Sequence, residues 1–190
     1  DNIRSELGID KNDMVVLFSA RFTNRKRPLD LLNALTKIEN TNITVLFVGD
    51  GLERKKMEEF AKKNRIKAIF TGFKNQNEIS KYYSISDLDI VISDYDPSPK
   101  SMNEAMNFGM PVIVTEVVGT AYDLVKDNKN GYVVKVGDID KIALKLDFFN
   151  KNRIQLKEMG QESLKIIEDW NYQNDVRGIL DAYNYVLEER

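Results

Sequence analysis

The chain has 190 residues, of which 42% are hydrophobic and 31% are charged, as is usual for one soluble globular domain. It contains no cysteine and no histidine, which excludes disulfides, thiolate catalysis, histidine-based catalytic triads and the zinc sites built on either residue. The formal net charge is −2 and both signs are mixed along the chain, so the composition does not indicate nucleic acid binding.

No apolar run approaches the roughly 18 residues of a membrane-spanning helix, and the chain does not open with a signal-peptide pattern. We therefore expect a cytoplasmic protein, whose contact with a membrane surface, if any, is made by parts outside these residues. The first residue is Asp and not Met, so we expect a piece of a longer protein.

Apolar runs of strand length alternate with stretches whose apolar residues recur at helical spacing. The predicted strands are residues 14–19, 43–48, 67–71, 89–92, 112–114 and 131–134. The predicted helices are residues 28–38, 52–64, a segment around 79–85, one that begins at 99, and then 119–125, 138–149, 153–168 and 172–187. Because the strands are apolar on both faces, this order predicts an α/β fold, a Rossmann-like doubly wound parallel sheet of about six strands with helices on both faces, closed by two C-terminal helices.

Ligands of such sheets bind outside the carboxyl ends of the strands, at the point where the strand order reverses. If the order is 3-2-1-4-5-6, that point lies between the loops that follow strands one and four. The first is a basic loop, residues 21–27, and the second is an acidic loop, residues 93–99, which runs into a short helix. We therefore expect the binding site between the basic loop and the acidic loop.

The basic loop concentrates cations in a chain whose net charge is slightly negative: Arg21, Arg25, Lys26 and Arg27. Such a density at a ligand-binding edge suits a phosphate or diphosphate, because a guanidinium group can bind it through paired hydrogen bonds. A solvated basic loop without a ligand remains an alternative interpretation.

The helix after the acidic loop is expected to start with Ser98 as its cap and Pro99 at its first position. The amides of Lys100 and Ser101 would then lack helical partners and point toward the crevice, where they favour an anion. Glu104 lies one turn further along and could accept hydrogen bonds from a ribose diol. A surface glutamate on a capped helix is the alternative.

Two glycine turns, at residues 49–51 and 72–73, read more simply as tight turns than as phosphate cradles. The chain has no G-x-G-x-x-G fingerprint after its first strand and no Walker lysine motif. No short fingerprint therefore identifies a nucleotide-binding site. The prediction of function depends on the order of several weaker motifs along the chain.

Taken in order, these motifs resemble the carboxyl-terminal, donor nucleotide-binding domain of family 4 glycosyltransferases of the GT-B type. The resemblance covers nearly the whole chain. The matching pieces are Phe18-Ser19-Ala20-Arg21 with Lys26, Val48-Gly49-Asp50-Gly51, Phe70-Thr71-Gly72-Phe73, Ser86-Asp87-Leu88-Asp89, Glu104-Ala105-Met106, Gly109-Met110-Pro111-Val112-Ile113 and Gly131-Tyr132-Val133-Val134.

The resemblance implies roles for individual residues. Arg21 and Lys26 would neutralise the departing diphosphate. Glu104 matches the second of two family glutamates that stand eight residues apart and would hold the ribose. Asp96 takes the place of the first, near the donor sugar, and is one methylene shorter. By the same resemblance the other donor-binding residues are Gly72, Phe73, Pro99, Lys100 and Ser101, although Pro99 offers no N–H.

The reaction implied is retaining, metal-independent transfer of a sugar from a UDP- or GDP-linked donor to a glycan or lipid-linked acceptor, as in polysaccharide biosynthesis. No cofactor is required. Residues 1–190 would form a single Rossmann-like donor-binding domain, a fragment without the N-terminal acceptor domain, and this domain alone is expected to be inactive.

Three other classes remain open at this point. A sugar-nucleotide epimerase of the same architecture would rely on acid–base side chains near the sugar, for which the absence of histidine is unfavourable. A receiver-type signalling module would need an acidic pair after strand one, where this chain has Arg21 and Lys26. A nucleotide-binding module without chemistry of its own is the third class.

Overall fold

The computed structural model describes residues 2–39 and 42–188, which are built around a six-stranded parallel sheet with the strand order β3-β2-β1-β4-β5-β6. The strands are β1 (Met14–Ser19), β2 (Ile43–Val48), β3 (Ala68–Gly72), β4 (Leu88–Val91), β5 (Val112–Thr115) and β6 (Gly131–Val134). The order reverses between β1 and β4. The doubly wound parallel sheet expected from the sequence is therefore confirmed.

Helices connect and cover the strands. They are α1 (Asn2–Glu6), α2 (Pro28–Leu35), α3 (Arg54–Lys63), α4 (Gln76–Ser84), α5 (Lys100–Asn107), α6 (Ala121–Leu124), α7 (Ile139–Lys151), α8 (Arg153–Glu168) and α9 (Tyr172–Glu188). The two C-terminal helices predicted from the sequence are α8 and α9, whereas α1 has no counterpart among the predicted elements. Of the helices in the described part of the chain, none is both long enough and apolar enough to pass through a membrane.

The core consists of two layers, because successive side chains of a strand point to opposite faces of the sheet. On β1, Met14, Val16 and Phe18 belong to the cluster that contains side chains of α2, α3 and α7, whereas Val15 and Leu17 join side chains of α4 and α5. Each of these β1 side chains is at most 2% exposed. Burying a side chain of this size contributes about 1.5–3 kcal/mol, so the core holds the end of β1 firmly in place.

The last helix, α9, differs from the others because its large apolar side chains are more than half exposed: Tyr172, Val176, Ile179, Leu180, Tyr183, Tyr185, Val186 and Leu187. The other long helices, α7 and α8, bury an apolar stripe against the body of the domain. The position of α9 therefore does not depend on burial of its apolar face within the described residues.

Helix α8 crosses the chain just after α5 at very close range. A Cβ atom added to Gly160 in α8 would lie 2.0 Å from the carbonyl oxygen of Gly109, which no real Cβ can do. Glycine at this position is therefore a packing requirement of the crossing.

This crossing predicts opposite effects for two helical glycines. Gly160→Ala should lower the free energy of unfolding by about 1–3 kcal/mol, because the helix must shift away from Gly109. Gly178→Ala in α9 should raise it by up to about 1 kcal/mol, because no atom lies within 4 Å of the added methyl group and alanine favours a helix. Urea unfolding of both variants is the measurement, and equal changes in the two would contradict the close crossing.

Candidate functional site

The basic loop and the acidic loop meet at the carboxyl edge of the sheet, where β1 and β4 end side by side. The Arg27 guanidinium donates to the Asp94 carboxylate at 2.8 Å, and the Asp94 amide donates to the Arg25 carbonyl oxygen at 2.8 Å. Asn24–Lys26 form a short 3-10 helix, and Arg27 ends it in the left-handed conformation with φ 52°. The two loops between which the site was expected are therefore in direct contact, through hydrogen bonds from Arg27 and from the Asp94 amide.

An ion pair between Lys26 and Asp96 forms the centre of this contact. Their side chains are 18% and 11% exposed. The backbone of Asp96 is held as well, since its carbonyl oxygen accepts a hydrogen bond from the Gly119 amide at 2.9 Å. The family resemblance implied separate roles for these two residues, Lys26 at the diphosphate and Asp96 at the sugar, whereas in the structure the two side chains pair with each other. A bound anion would have to compete with Asp96 for Lys26.

The two other predicted cations of the basic loop are available to a ligand. Arg21 and Arg25 are exposed, and within residues 2–39 and 42–188 neither side chain takes part in an ion pair. Two of the four cations are thus engaged with the acidic loop, and the other two face solvent at the rim.

Next to the basic loop, a cavity of about 410 Å³ opens at the carboxyl ends of β1, β2 and β3. Its lining consists of Ser19, Ala20, Arg21, Val48, Gly49, Asp50, Phe73, Lys74 and Ile79. Phe73 is 77% exposed, and Gly72 ends β3 with φ +75°. A cavity of this size fits the dimensions of a small-molecule site.

The turn after β2 shapes one side of this cavity. A Cβ atom on Gly49 would lie 2.0 Å from the carbonyl oxygen of Ala20, and φ at Gly49 is +138°. The Phe22 amide donates to the Asp50 carbonyl oxygen at 2.9 Å and fixes the approach. The interpretation of residues 49–51 as a tight turn agrees with this geometry, and the glycine lets the turn press against the start of the basic loop.

Glu104 lies on α5 and receives a hydrogen bond from outside its helix. The Tyr83 hydroxyl, at the end of α4, donates to Oε2 of Glu104 at 2.7 Å. Tyr83 is 1% exposed and its ring stacks on Phe108 with centroids 5.4 Å apart. Burial, and after it the bond to Glu104, raises the pKa of the Tyr83 hydroxyl, so Tyr83 remains a neutral donor at physiological pH. Sequence reasoning used Tyr83 only as a marker of α4.

The start of α5 corrects the sequence prediction by one residue. Pro99 is the N-cap residue with φ −71° and ψ 109°, Lys100 is the first helical residue, and Ser98 makes no capping bond and is exposed. Proline fixes φ but leaves ψ open, so the sequence could not decide between the cap and the first position. Lys100 and Ser101 remain in the first turn, where amides lack helical acceptors.

Below the site, Asp89 stands in the middle of the buried strand β4. Its side chain is fully buried, and neither carboxyl oxygen has a hydrogen-bond partner within the described residues. Burial raises the pKa of this carboxyl group well above its usual range, the nearby Ile90 amide offsets part of this rise, and the charge of Glu104 adds to it. The one signal in the sequence is an aspartate at the start of an otherwise apolar predicted strand, residues 89–92.

The structure brings several of the predicted residues, though not all, to the lining of two cavities at one edge of the sheet. Lys26 and Asp96 line a small cavity with Ser101, Arg21 and Phe73 line the larger one, and Glu104 is connected to α4 through Tyr83. Within the described chain, no group of three or more Asp or Glu side chains could hold a metal ion. The roles of the site residues stay predictions.

The family model described as Glycosyl transferases group 1 matches residues 1–165. This chain belongs to that family. The resemblance to glycosyltransferases of the GT-B type is thereby confirmed. The doubly wound parallel sheet of the structure agrees with this assignment.

Two relatives illustrate how much of a protein this chain represents. An uncharacterized glycosyltransferase of Methanocaldococcus jannaschii is 32% identical over 149 residues, which cover 77% of this chain and 38% of that protein. The UDP-Gal:alpha-D-GlcNAc-diphosphoundecaprenol alpha-1,3-galactosyltransferase of Escherichia coli is 26% identical over 187 residues, which cover 93% of this chain and 47% of that protein. The chain therefore spans less than half the length of these two curated relatives.

A solved structure shows the same fold. The crystal structure of Anabaena HepE in complex with UDP matches with a TM-score of 0.81 and 23% sequence identity. The match covers 100% of this chain and 52% of that chain. The whole chain thus corresponds in fold to about half of the HepE chain.

The buried carboxyl group predicts a specific dependence of stability on pH. The folded-state pKa of Asp89 is raised, so the stabilising protonated form is fully present below the unfolded pKa of about 3.9 and stability falls as pH rises above it. Asp89→Asn should remove this fall and raise the free energy of unfolding at pH 7 by about 1–3 kcal/mol.

Urea unfolding at pH 4 and pH 7 measures this difference. Asp181→Asn, on the exposed face of α9, is the control and should change stability by less than about 0.5 kcal/mol at either pH. Parallel pH profiles for wild type and Asp89→Asn would show that the carboxyl group titrates normally.

The Lys26–Asp96 pair predicts strong coupling between two substitutions. Lys26→Met or Asp96→Asn alone should lower the free energy of unfolding by about 1–3 kcal/mol, because each leaves the partner charge largely buried and unpaired. The double variant should lose less than the sum, with a coupling energy of about 1–2 kcal/mol.

The matched control is the Lys37–Asp140 pair, whose side chains are 48% and 84% exposed. The same cycle there should give a coupling energy below about 1 kcal/mol, since solvent screens an exposed pair. Both cycles are measured by urea unfolding at pH 7. Similar coupling energies in the two pairs would contradict the shielding of the Lys26–Asp96 pair from solvent.

Proposed function

We propose that this chain is the donor-binding domain of a glycosyltransferase and holds a nucleoside diphosphate sugar between the basic loop and the acidic loop. The observation that carries the proposal is the joining of these loops at the reversal of strand order in a chain of this family. The family membership favours sugar transfer over the epimerase and over a module without chemistry.

The proposed roles follow from charge and position. Arg21 and Lys26 bind the diphosphate and stabilise the negative charge that grows on it as the sugar leaves, and such electrostatic stabilisation is often the largest catalytic effect. Lys100 and Ser101 present first-turn amides to the same anion. Glu104 accepts hydrogen bonds from the ribose. Because side-chain cations neutralise the leaving group, the proposed reaction needs neither a metal ion nor another cofactor.

The Lys26–Asp96 pair gives the proposed site an exchange of partners. When the diphosphate binds, Lys26 turns from Asp96 to a phosphate oxygen. Asp96 is then released to accept a hydrogen bond from a hydroxyl group of the donor sugar. The ion pair therefore keeps both side chains in place before the donor binds. We also propose that the sugar is transferred with retention of configuration at the anomeric carbon.

The acceptor side is proposed to lie in an N-terminal domain outside this chain. The E. coli relative acts on an undecaprenol diphosphate-linked sugar, and HepE was crystallised with UDP, so a lipid-linked glycan acceptor and a UDP-linked donor are the leading candidates. GDP-linked donors remain the second class. We propose that the exposed apolar face of α9 packs against the N-terminal domain. The complete enzyme works in the cytoplasm, and it works at the membrane surface if its acceptor is lipid-linked. This domain alone does not transfer sugar.

A thermal-shift and calorimetric panel of UDP, GDP, ADP and their sugars tests the donor site. A bound nucleotide at about a hundred times its dissociation constant should stabilise the domain by roughly 2.7 kcal/mol. Lys26→Ala and Glu104→Ala should each weaken binding of the preferred nucleotide about tenfold or more, because each removes a charge-assisted contact.

Matched controls are Lys151→Ala and Glu158→Ala, which change exposed residues of α7 and α8. These two variants should bind the nucleotide like the wild type. The proposal would be refuted by silence across the whole panel, or by a nucleotide that binds wild type, Lys26→Ala and Glu104→Ala with equal affinity.

A further inference from the structure

Tyr83 and Glu104 connect two helices on the α4–α5 side of the sheet. Tyr83 is at the C-terminal end of α4 and Glu104 is in the middle of α5, and they are 21 positions apart in the chain. Their 2.7 Å hydrogen bond joins a nearly fully buried ring to a carboxylate that keeps partial access to solvent. One end of this contact is therefore fixed by the core, and the other end is a half-buried carboxylate on α5.

The core determines where the Tyr83 hydroxyl lies. The ring packs in the cluster that includes Val15, Leu17 and Ala105 and stacks on Phe108 at an interplanar angle of 18°. A tyrosine side chain has only two rotatable bonds before its ring is oriented, so this packing leaves little freedom to the hydroxyl group. The Glu104 side chain is longer and exposed in part, and alone it could adopt several rotamers.

We infer that Tyr83 is a positioning residue that holds one carboxylate oxygen of Glu104, so that the other oxygen is presented to the ribose diol of the donor. The inference rests on the proposed function and adds a residue that the sequence did not single out. A carboxylate offers about four acceptor positions on two oxygens, and the Tyr83 hydroxyl occupies one of them on Oε2. The remaining positions are sufficient for two ribose hydroxyl groups.

A neutral donor is the suitable partner for this purpose. A lysine or arginine at the position of Tyr83 would pair with the carboxylate charge, whereas a phenolic hydroxyl fixes the geometry and leaves the charge in place for the ligand. Asp89 lies close enough for its charge state to interact with both Tyr83 and Glu104, and its burial favours the uncharged form. An uncharged Asp89 does not repel the carboxylate of Glu104.

The neighbouring tyrosine supplies a matched control. Tyr82 is also buried, at 6% exposure, but its ring lies near the ammonium groups of Lys74 and Lys81, at 5.7 and 5.2 Å from the ring centre. Tyr82→Phe therefore removes a hydroxyl group from the same turn of α4 without removing the bond to Glu104.

The test compares two nucleotides by calorimetry, UDP and 2′,3′-dideoxy-UDP, which differ only in the ribose hydroxyl groups. Tyr83→Phe keeps the ring and its stack on Phe108, so the variant should fold, with a Tm close to that of the wild type. We expect it to bind UDP about tenfold more weakly, and dideoxy-UDP with less than about a twofold change. Tyr82→Phe should bind both nucleotides like the wild type.

A double-mutant cycle with Glu104→Ala adds a measurement that a merely structural role would not affect. If Tyr83 acts through Glu104, Tyr83→Phe should not reduce UDP affinity further when Ala is already at position 104, because alanine leaves the hydroxyl no side-chain acceptor. Loss of affinity for both nucleotides in equal measure, or no loss for UDP, would overturn the positioning role while the donor site stands. Failure of the wild type to bind UDP, GDP and ADP alike would instead refute the proposed function, and the inference with it. If GDP is the nucleotide that binds, GDP and 2′,3′-dideoxy-GDP replace the two uridine nucleotides in this test.

Discussion

The pairing of β1 with β2 on one side and β4 on the other is the constraint on which the site depends. Because β1 and β4 are parallel neighbours, their carboxyl ends stop at the same edge, and the loops that follow them must share space. One loop is rich in cations and the other in carboxylates. Their attraction across the edge, through Arg27 with Asp94 and Lys26 with Asp96, then fixes the walls of the crevice.

The same edge shows how packing and polarity are balanced. Glycine at position 49 lets a turn of backbone press on Ala20, and the cavity beside it takes its shape from that approach. Under this edge, Asp89 is buried, and its carboxyl oxygens have no hydrogen-bond partner in the part of the chain that the structure describes. Burying an unpaired polar group lowers stability, and packing alone does not require one here. Because this buried acid lies near Glu104 and Tyr83, we interpret it as part of the site. Residues at functional sites are often kept although they lower stability.

The sequence predicted the strands and most helices, but it did not predict which side chains contact each other. Apolar runs and helical spacing identified the strands and most helices, because both periodicities are written locally in the chain. The boundary at Pro99 was wrong by one residue, since proline restricts φ and not ψ. Tyr83 was recognised as part of α4 but not as a partner of Glu104, because 21 positions separate the two and no local pattern reports a contact across helices.

The sequence by itself determined the class of fold, the order of strands and helices, the two charged loops and the resemblance to a family of glycosyltransferases. Only the tertiary structure decided which charges meet. Residues 26 and 96 lie 70 positions apart, and their pairing follows from the arrangement of β1 and β4, which a one-dimensional pattern does not contain. Local propensity is a property of neighbours in the chain, whereas the partners of a buried or half-buried charge are chosen by neighbours in space.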